Sequence, residues 1–406
     1  MTEQEHSNVQ WKKVKLGEVC AVNPKTDTTK VLDDDFVTFV RMEDVSNDGI
    51  IASFSERPYK SLLKKGFTIF QNDDVIFAKI TPCMENGKGA LVRNMKSKIC
   101  MGSTEFHVLR ACDNVSIDFI YQLTISKQFR QRAEMQMTGS AGQQRVPTAF
   151  LEDYLISIPF KNGKPDLAEQ RRIAAILASA DKVIAATQKT IAKYKQMKQG
   201  MMEDLLKPKD GWKKYEYKDV IIENRLGGNY ENSTANIGYP VIKMGNIMRG
   251  YISLEKMQYL SFEKKYIADD VLKKGDLLFN TRNTLDLVGK VSIWNNELPF
   301  ALYNSNLLRM KFDENIIGSN EFMNYYFNYH KTLMELRGFA IGTTSVAAIY
   351  GRDLDRLSII VPSIKEQRRI ATILSSIDAK IAAEEKVLQK YEKVKKGLME
   401  RLLEEE

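Results

Sequence analysis

The apolar residues of this chain follow two periods. The longer period is a heptad. From Asp166 to Leu206, alternating steps of four and three visit Ile173, Leu177, Ala180, Ile184, Thr187, Ile191, Tyr194, Lys198, Met201 and Leu205. From Ser363 to Leu403 the same steps visit Ile370, Leu374, Ile377, Ile381, Glu384, Leu388, Tyr391, Lys395, Leu398 and Leu402. One largely apolar seam sustained for about five heptads predicts a long helix whose stripe is covered by another helix. At about 1.5 Å per residue each would be about 60 Å long. The two stretches align without a gap at an offset of 197 residues, and about half the positions are identical, which marks a duplication. Asp166 with Glu169, and Ser363 with Glu366, predict a capping box at each start. Pro165 and Pro362 bar backward extension, and Lys207-Pro208 ends the first helix.

The shorter period belongs to strands. Asp73 to Ile80, Gly275 to Thr281, Lys98 to Met101 and Phe106 to Leu109 read as short strands between polar loops. Residues 117–133 and 320–336 each read as one helix, and 155–159 and 357–362 as a last strand. The duplication extends through these modules. Trp11-Lys12-Lys13 recurs as Trp212-Lys213-Lys214, Val40-Arg41-Met42 as Ile242-Lys243-Met244, and Asp74-Val-Ile-Phe as Asp276-Leu-Leu-Phe. Gly87-Lys88 returns as Gly289-Lys290, and Ser103 as Ser305. The predicted organisation is a module over 1–165, a helix over 166–207, a second module over 208–362 and a helix over 363–406. The fold class is α+β: two globular modules in pseudo-twofold repeat, separated by two long antiparallel coiled-coil helices. The modules have diverged far more than the helices.

Composition narrows this only slightly. A chain of 406 residues holds two to four domains. Net charge of +8 and a pI of about 9.0 lean towards an anionic partner. Four cysteines without a CxxC pair suit free thiols in a reducing compartment, with a zinc site at Cys100, His107 and Cys112 as the alternative. The polar N-terminus and the lack of an apolar run of about 18 residues predict a soluble, cytoplasmic protein.

No familiar catalytic motif is present. An amino-methyltransferase loop needs adjacent prolines, and no two of the ten are adjacent. Neither GxGxxG nor GxxxxGK[ST] occurs. Asp166 with Glu169 lacks the lysine of a nuclease set, and three histidines sit in unrelated contexts. The expectation is a chain without chemistry of its own and without a metal. Recognition remains. Residues 78–88 and 280–290 form a loop after the Asp-apolar-Phe strand, and 138–145 and 342–345 form a later polar loop. Arg and Lys pair with guanine edges, Asn and Gln with adenine edges. Candidate DNA contacts are Lys79, Thr81, Asn86, Lys88, Gln143, Gln144 and Arg145 in module one. In module two they are Lys243, Thr281, Arg282, Asn283, Lys290, Thr343 and Thr344. The loop glycines are expected to let backbone approach a phosphate or base edge.

These residues carry a family resemblance. Glu169-Gln-Arg-Arg-Ile-Ala and Glu366-Gln-Arg-Arg-Ile-Ala each open a long helix after a Pro-ended strand, and Asp74 to Gly89 (DVIFAKITPCMENGKG) is similarly distinctive. The arrangement resembles the specificity subunit of type I restriction–modification systems over nearly the whole chain. Module two matches more loosely and lacks the Thr-Pro-Cys. The resemblance implies two target-recognition domains, each reading half of a split double-stranded DNA site, with the helices setting the unread spacer. It implies docking of two modification subunits on the helices, for which Glu169, Gln170, Arg171, Arg172, Glu366, Gln367, Arg368 and Arg369 are candidates. Restriction subunits would join that core. S-adenosylmethionine, ATP and magnesium would then reside on partner subunits, with adenine N6 as the methylated atom. A stand-alone DNA-modifying enzyme with unrecognised motifs and a scaffold joining two protein-binding modules are the competing readings.

Overall fold

A computed structural model describes residues 9–47, 49–63, 65–140, 142–343 and 346–403. The helices that matter are, in chain order, α1 (Ile117–Thr124), α2 (Lys127–Met135), α3 (Leu167–Leu206), α4 (Asn320–Phe327), α5 (His330–Phe339) and α6 (Ile364–Leu403). The chain divides into two compact units. Unit one is Met1–Thr187 with Val387–Glu406, and unit two is Gln188–Lys386. Both boundaries fall inside the long helices, so each unit owns a piece of α3 and a piece of α6.

Each unit is built around an antiparallel four-stranded sheet. In unit one the order is Cys20–Val22, Phe106–Ala111, Asp74–Ala78, Gly89–Leu91. In unit two it is Ile221–Leu226, Leu307–Phe312, Leu277–Asn280, Val291–Ile293. A second sheet in each unit pairs one strand in parallel, Phe36–Val40 with Cys100–Gly102 and Tyr239–Ile242 with Leu302–Tyr303. The central strands, DVIFA and LLFN, are buried at every position, because both faces are covered.

The single helices expected over 117–133 and 320–336 are each broken in two. Ser126 starts a new helix by accepting from the Phe129 N–H at 3.1 Å, a capping geometry that competes with helix continuation. In unit two the break lies at Asn328, whose side-chain amide donates to the carbonyls of Val291 and Asn324.

The long helices follow the heptad. Nine of the ten seam positions of α6 and all ten of α3 are at least half-buried, and only Tyr391 is open, at 39 % exposure. The capping box forms by half. Asp166 accepts from the Ala168 and Glu169 N–H groups at 3.1 Å, but its own N–H is taken by the Pro159 carbonyl. Glu169 is turned to Arg172 instead, as Glu366 is to Arg369.

Within unit one, Ile173 and Leu177 of α3 share a core with Leu403 of α6, with Leu398 and Leu402 packed against it. Within unit two, Leu206 shares a core with Ile370 and Leu374. The helix segments run antiparallel inside each unit. Two lysines at seam positions, which the heptad alone does not explain, are answered by carboxylates across the seam. Lys395 pairs with Asp181 in unit one, and Lys198 pairs with Asp378 at 2.7 Å in unit two. Each carboxylate also accepts from its own module, Asp181 from Gln122 at 3.2 Å and Asp378 from the Tyr325 hydroxyl at 2.7 Å.

Candidate nucleic-acid interface

Loops about 60 residues apart in sequence lie side by side in both modules. In module one Ile80 bridges Arg145, the Thr81 N–H donates to the Gln144 carbonyl at 3.0 Å, and Val146 N–H donates to Lys79 O at 2.9 Å. In module two Arg282–Asn283 pairs with Ala347–Ala348, which pairs with Ile341–Gly342. Ile349 N–H also donates to Thr281 O at 3.0 Å. The strands of the central sheet thus deliver one loop, and the segment before the last strand delivers the other. Backbone hydrogen bonds hold the two in one surface.

The glycines in these loops serve the loops themselves. Gly342 has φ of 141°, and a Cβ there would lie 2.2 Å from Val346 O; Gly139 has φ of 126°, with Gln143 O at 2.8 Å. The close backbone approach expected from the sequence is to the facing arm of the same hairpin.

Several candidate side chains are committed inside the protein. Arg145 makes a two-pronged pair with Glu105, at 2.9 and 2.8 Å, which lowers the carboxyl pKa and raises that of the guanidinium. The Lys88 ammonium donates to Met42 O at 2.9 Å, and Lys243 to the Gln258 side chain at 2.7 Å. Thr81 donates to Glu85 at 2.7 Å and Thr281 to Asn306 O at 2.9 Å. Asn283 accepts from Thr284 N–H, and Thr343 from Val346 N–H at 3.3 Å. Lys79 and Gln144 are half-buried, with backbone groups in the loop pairing. The side chains presented outward are Asn86 and Gln143 in module one and Arg282 in module two, with Lys290 half-buried. Thr344 lies outside the described residues.

Sequence reasoning missed the groups that fix these loops. His107 is buried, donates from Nε2 to Val146 O at 2.8 Å and accepts at Nδ1 from the Asn23 amide at 3.1 Å. Burial drops its pKa to about 4, so the ring is neutral and in the Nε2–H form. Arg130 is buried and donates to Thr124 O at 2.7 Å and Met84 O at 3.3 Å, with its guanidinium 5.3 Å over the Phe77 ring. It ties the middle of the 79–88 loop to α1. Burial brings this guanidinium down to about 10, which leaves it cationic at neutral pH. Arg249 holds the Asp286 carbonyl of the module-two loop at 3.0 Å. No periodicity marks such residues; only the tertiary pairing reveals them.

The helix-opening motif is corrected in one respect. Gln170 and Gln367 are 0 % exposed, so neither is available for a partner to touch. Gln170 accepts from Ser116 N–H at 2.9 Å and donates to Asn114 O at 3.3 Å. Gln367 accepts from Gly318 N–H at 2.9 Å and donates to Ile316 O and Pro362 O at 2.8 and 3.0 Å. Each amide clasps the turn that starts the module helix, whose caps are Ser116 and Ser319. Glu169, Arg171, Arg172, Glu366, Arg368 and Arg369 remain at the surface, the outer Glu–Arg pairs formed within one turn and Arg368 donating to Gly318 O. The zinc alternative also fails. Cys100 is buried with its thiol pushed up to about 12, and both His107 ring nitrogens are engaged. Among the described residues no group of three His, Cys, Asp or Glu could hold a metal. No helix among them is long and apolar enough to cross a membrane.

The model of the type I restriction modification DNA specificity domain matches twice, over residues 8–196 and 209–393. The specificity subunits of the type I restriction enzymes EcoEI and EcoAI of Escherichia coli are 37 % and 39 % identical over 164 and 166 residues, which is 40 % of this chain in each case. The matched stretch is 26 % of the length of either relative. The MjaVIII specificity subunit of Methanocaldococcus jannaschii is 28 % identical over 71 % of this chain and 70 % of its own. Among solved structures, the type I S subunit from M. genitalium superposes with a TM-score of 0.59 at 15 % identity, covering 99 % of this chain and 98 % of that one. A chain from a study of complex assembly and conformational transition of the type I R-M system gives 0.56 at 19 % identity, covering 97 % of each. At such identities the likeness is one of fold.

Proposed function

The chain belongs to the family of type I restriction modification DNA specificity domains, and from that premise we propose that it is the sequence-reading subunit of a type I restriction–modification complex. Each module reads one half of a bipartite site in double-stranded DNA. The observation that carries this is the paired loop surface. Both modules use the same sheet to hold two polar loops together, yet they present different side chains, Asn86 and Gln143 in one and Arg282 in the other. One frame with two different reading edges suits two unlike half-sites.

In this reading the chain is not catalytic. Methyl transfer from S-adenosylmethionine to adenine N6 belongs to two modification subunits docked along the helices. ATP- and magnesium-dependent steps belong to restriction subunits. The exposed parts of the helix-opening motif, Arg171 and Arg368 among them, are the docking candidates. The length of the paired helices sets the number of unread base pairs. The protein works in the cytoplasm, where its DNA is.

The test is a methylation map of DNA from cells that express this chain with its modification subunit. The expected result is one split motif that disappears when this chain is omitted. A motif that persists without the chain, or methyl transfer by the purified chain alone, would refute the assignment.

A further inference from the structure

Module two carries positive charge that no carboxylate among the described residues answers. The segment Met248–Tyr251 is seated on the strand Val291–Ile293. Gly250 N–H donates to Val291 O at 2.9 Å, and the Ser292 hydroxyl lies 2.7 and 2.8 Å from the carbonyls of Met248 and Tyr251. Asn324 of α4 and Asn328, which caps its C-terminal end, hold the seat in place, donating to Gly250 O and Val291 O at 2.9 Å each. This brings Arg249 beside Lys290. Gly289 packs near Leu336 of α5, where a Cβ would stand 3.8 Å from the Leu336 Cβ, and Arg337, the next residue of that helix, is near enough to Arg249 to act on its charge.

Arg249 spends Nη2 on the Asp286 carbonyl, while Nη1 is buried with no partner. None of the three cations makes an ion pair among the described residues. Burial and the neighbouring Arg249 lower the Lys290 pKa, and burial and Arg337 lower that of Arg249. Gathering like charges costs free energy unless an anion joins them. A guanidinium donor left unpaired inside the protein is costly, and an acceptor brought to that guanidinium offsets the cost. At the matching lysine of module one the ammonium is spent within the chain, Lys88 donating to Met42 O.

We infer that Arg249, Lys290 and Arg337 form a seat for one phosphodiester group of DNA at the base of the module-two loop. The inference rests on the reading of the chain as a DNA-binding subunit. The anion is a backbone phosphate because Arg249 grips the very loop that carries Arg282 and Asn283, so a duplex read by that loop brings its backbone alongside. The seat contributes affinity without base preference, and it makes the grip of the two modules unequal.

The experiment uses the full chain and a fluorescein-labelled duplex, with binding measured by anisotropy between about 50 and 200 mM salt. Each neutralised phosphate contributes about 0.9 to the slope of log K against log salt. The double variant Lys290→Gln/Arg337→Gln, which touches no hydrogen bond of the loop, should flatten the slope by about that amount. Lys265→Gln/Lys274→Gln, an equal loss of charge at exposed positions of the same unit, should leave it unchanged. A Lys290→Gln/Arg337→Gln slope equal to wild type, or equal flattening by both double variants, overturns the seat alone. A wild-type chain that binds no duplex at the lowest salt overturns both the seat and the DNA reading.

Discussion

The glutamine of the helix-opening motif offers the sharpest test, because its place in the sequence and its place in the structure suggest different jobs. Replace Gln170 or Gln367 by Ala. Gln170 satisfies one buried N–H and one carbonyl; Gln367 satisfies one N–H and two carbonyls. Each orphaned buried backbone group costs about 1–3 kcal/mol, and truncation of a fully buried side chain leaves a void. The expected loss is about 3 kcal/mol for Gln170→Ala and somewhat more for Gln367→Ala. That is a large part of the typical margin of about 5–15 kcal/mol. With two units in one chain, a single unfolding midpoint would blur the effect. Hydrogen exchange read by peptide separates it: Gln170→Ala should deprotect Ser116 to Thr124, and Gln367→Ala should deprotect Ser319 to Phe327, each sparing the other. If both variants kept wild-type protection yet lost modification subunits, the motif would act through partners and the clasp reasoning would be wrong.

Three further outcomes are expected. His107 has its folded pKa below the usual value of about 6.5, so it contributes stability that is full above that pH and is lost as pH falls towards about 4; the loss approaches about 3 kcal/mol, and urea midpoints for His107→Gln should vary less across that window than those of wild type. Lys198→Met and Asp378→Asn should show a coupling of about 1 kcal/mol in a double-mutant cycle, given the partial exposure of the pair; strictly additive losses would deny the cross-seam pair. Arg282→Ala should relax base preference at one half-site only, by roughly 1–3 kcal/mol, and methylation of variant sites that relaxed at both halves would break the correspondence of one module to one half-site.

Much of the architecture was legible because it was written twice. The heptad and the gapless repeat locate the helices to within a residue or so of Leu167–Leu206 and Ile364–Leu403. Strands such as Asp74–Ala78 announce themselves by apolar runs between turn residues. The split of each module helix was not legible, since the Ser126 cap lies inside an otherwise amphipathic stretch. The candidate loops were found as sets, because polar loops after buried strands stand out. Their individual residues were less legible. A lysine facing solvent and one spent on a carbonyl, as Lys88 is on Met42, look alike in sequence. Lys198 and Lys395 read as flaws in the seam until Asp378 and Asp181 are seen opposite them.

The placement of Leu403 bears on how the protein is made. Unit two draws all its parts from the single run Gln188–Lys386 and can close as that run leaves the ribosome. Unit one cannot. Its core around Ile173 and Leu177 is completed by Leu403, with Leu398, Met399 and Leu402 packed against it, residues translated more than two hundred positions later. Domains near the N-terminus ordinarily fold first during synthesis. Here the first module must wait with an apolar notch open while the second is translated and folded. Until α6 arrives, that notch is a place for a chaperone or a foreign helix to bind, and slow translation of the second half lengthens the exposure.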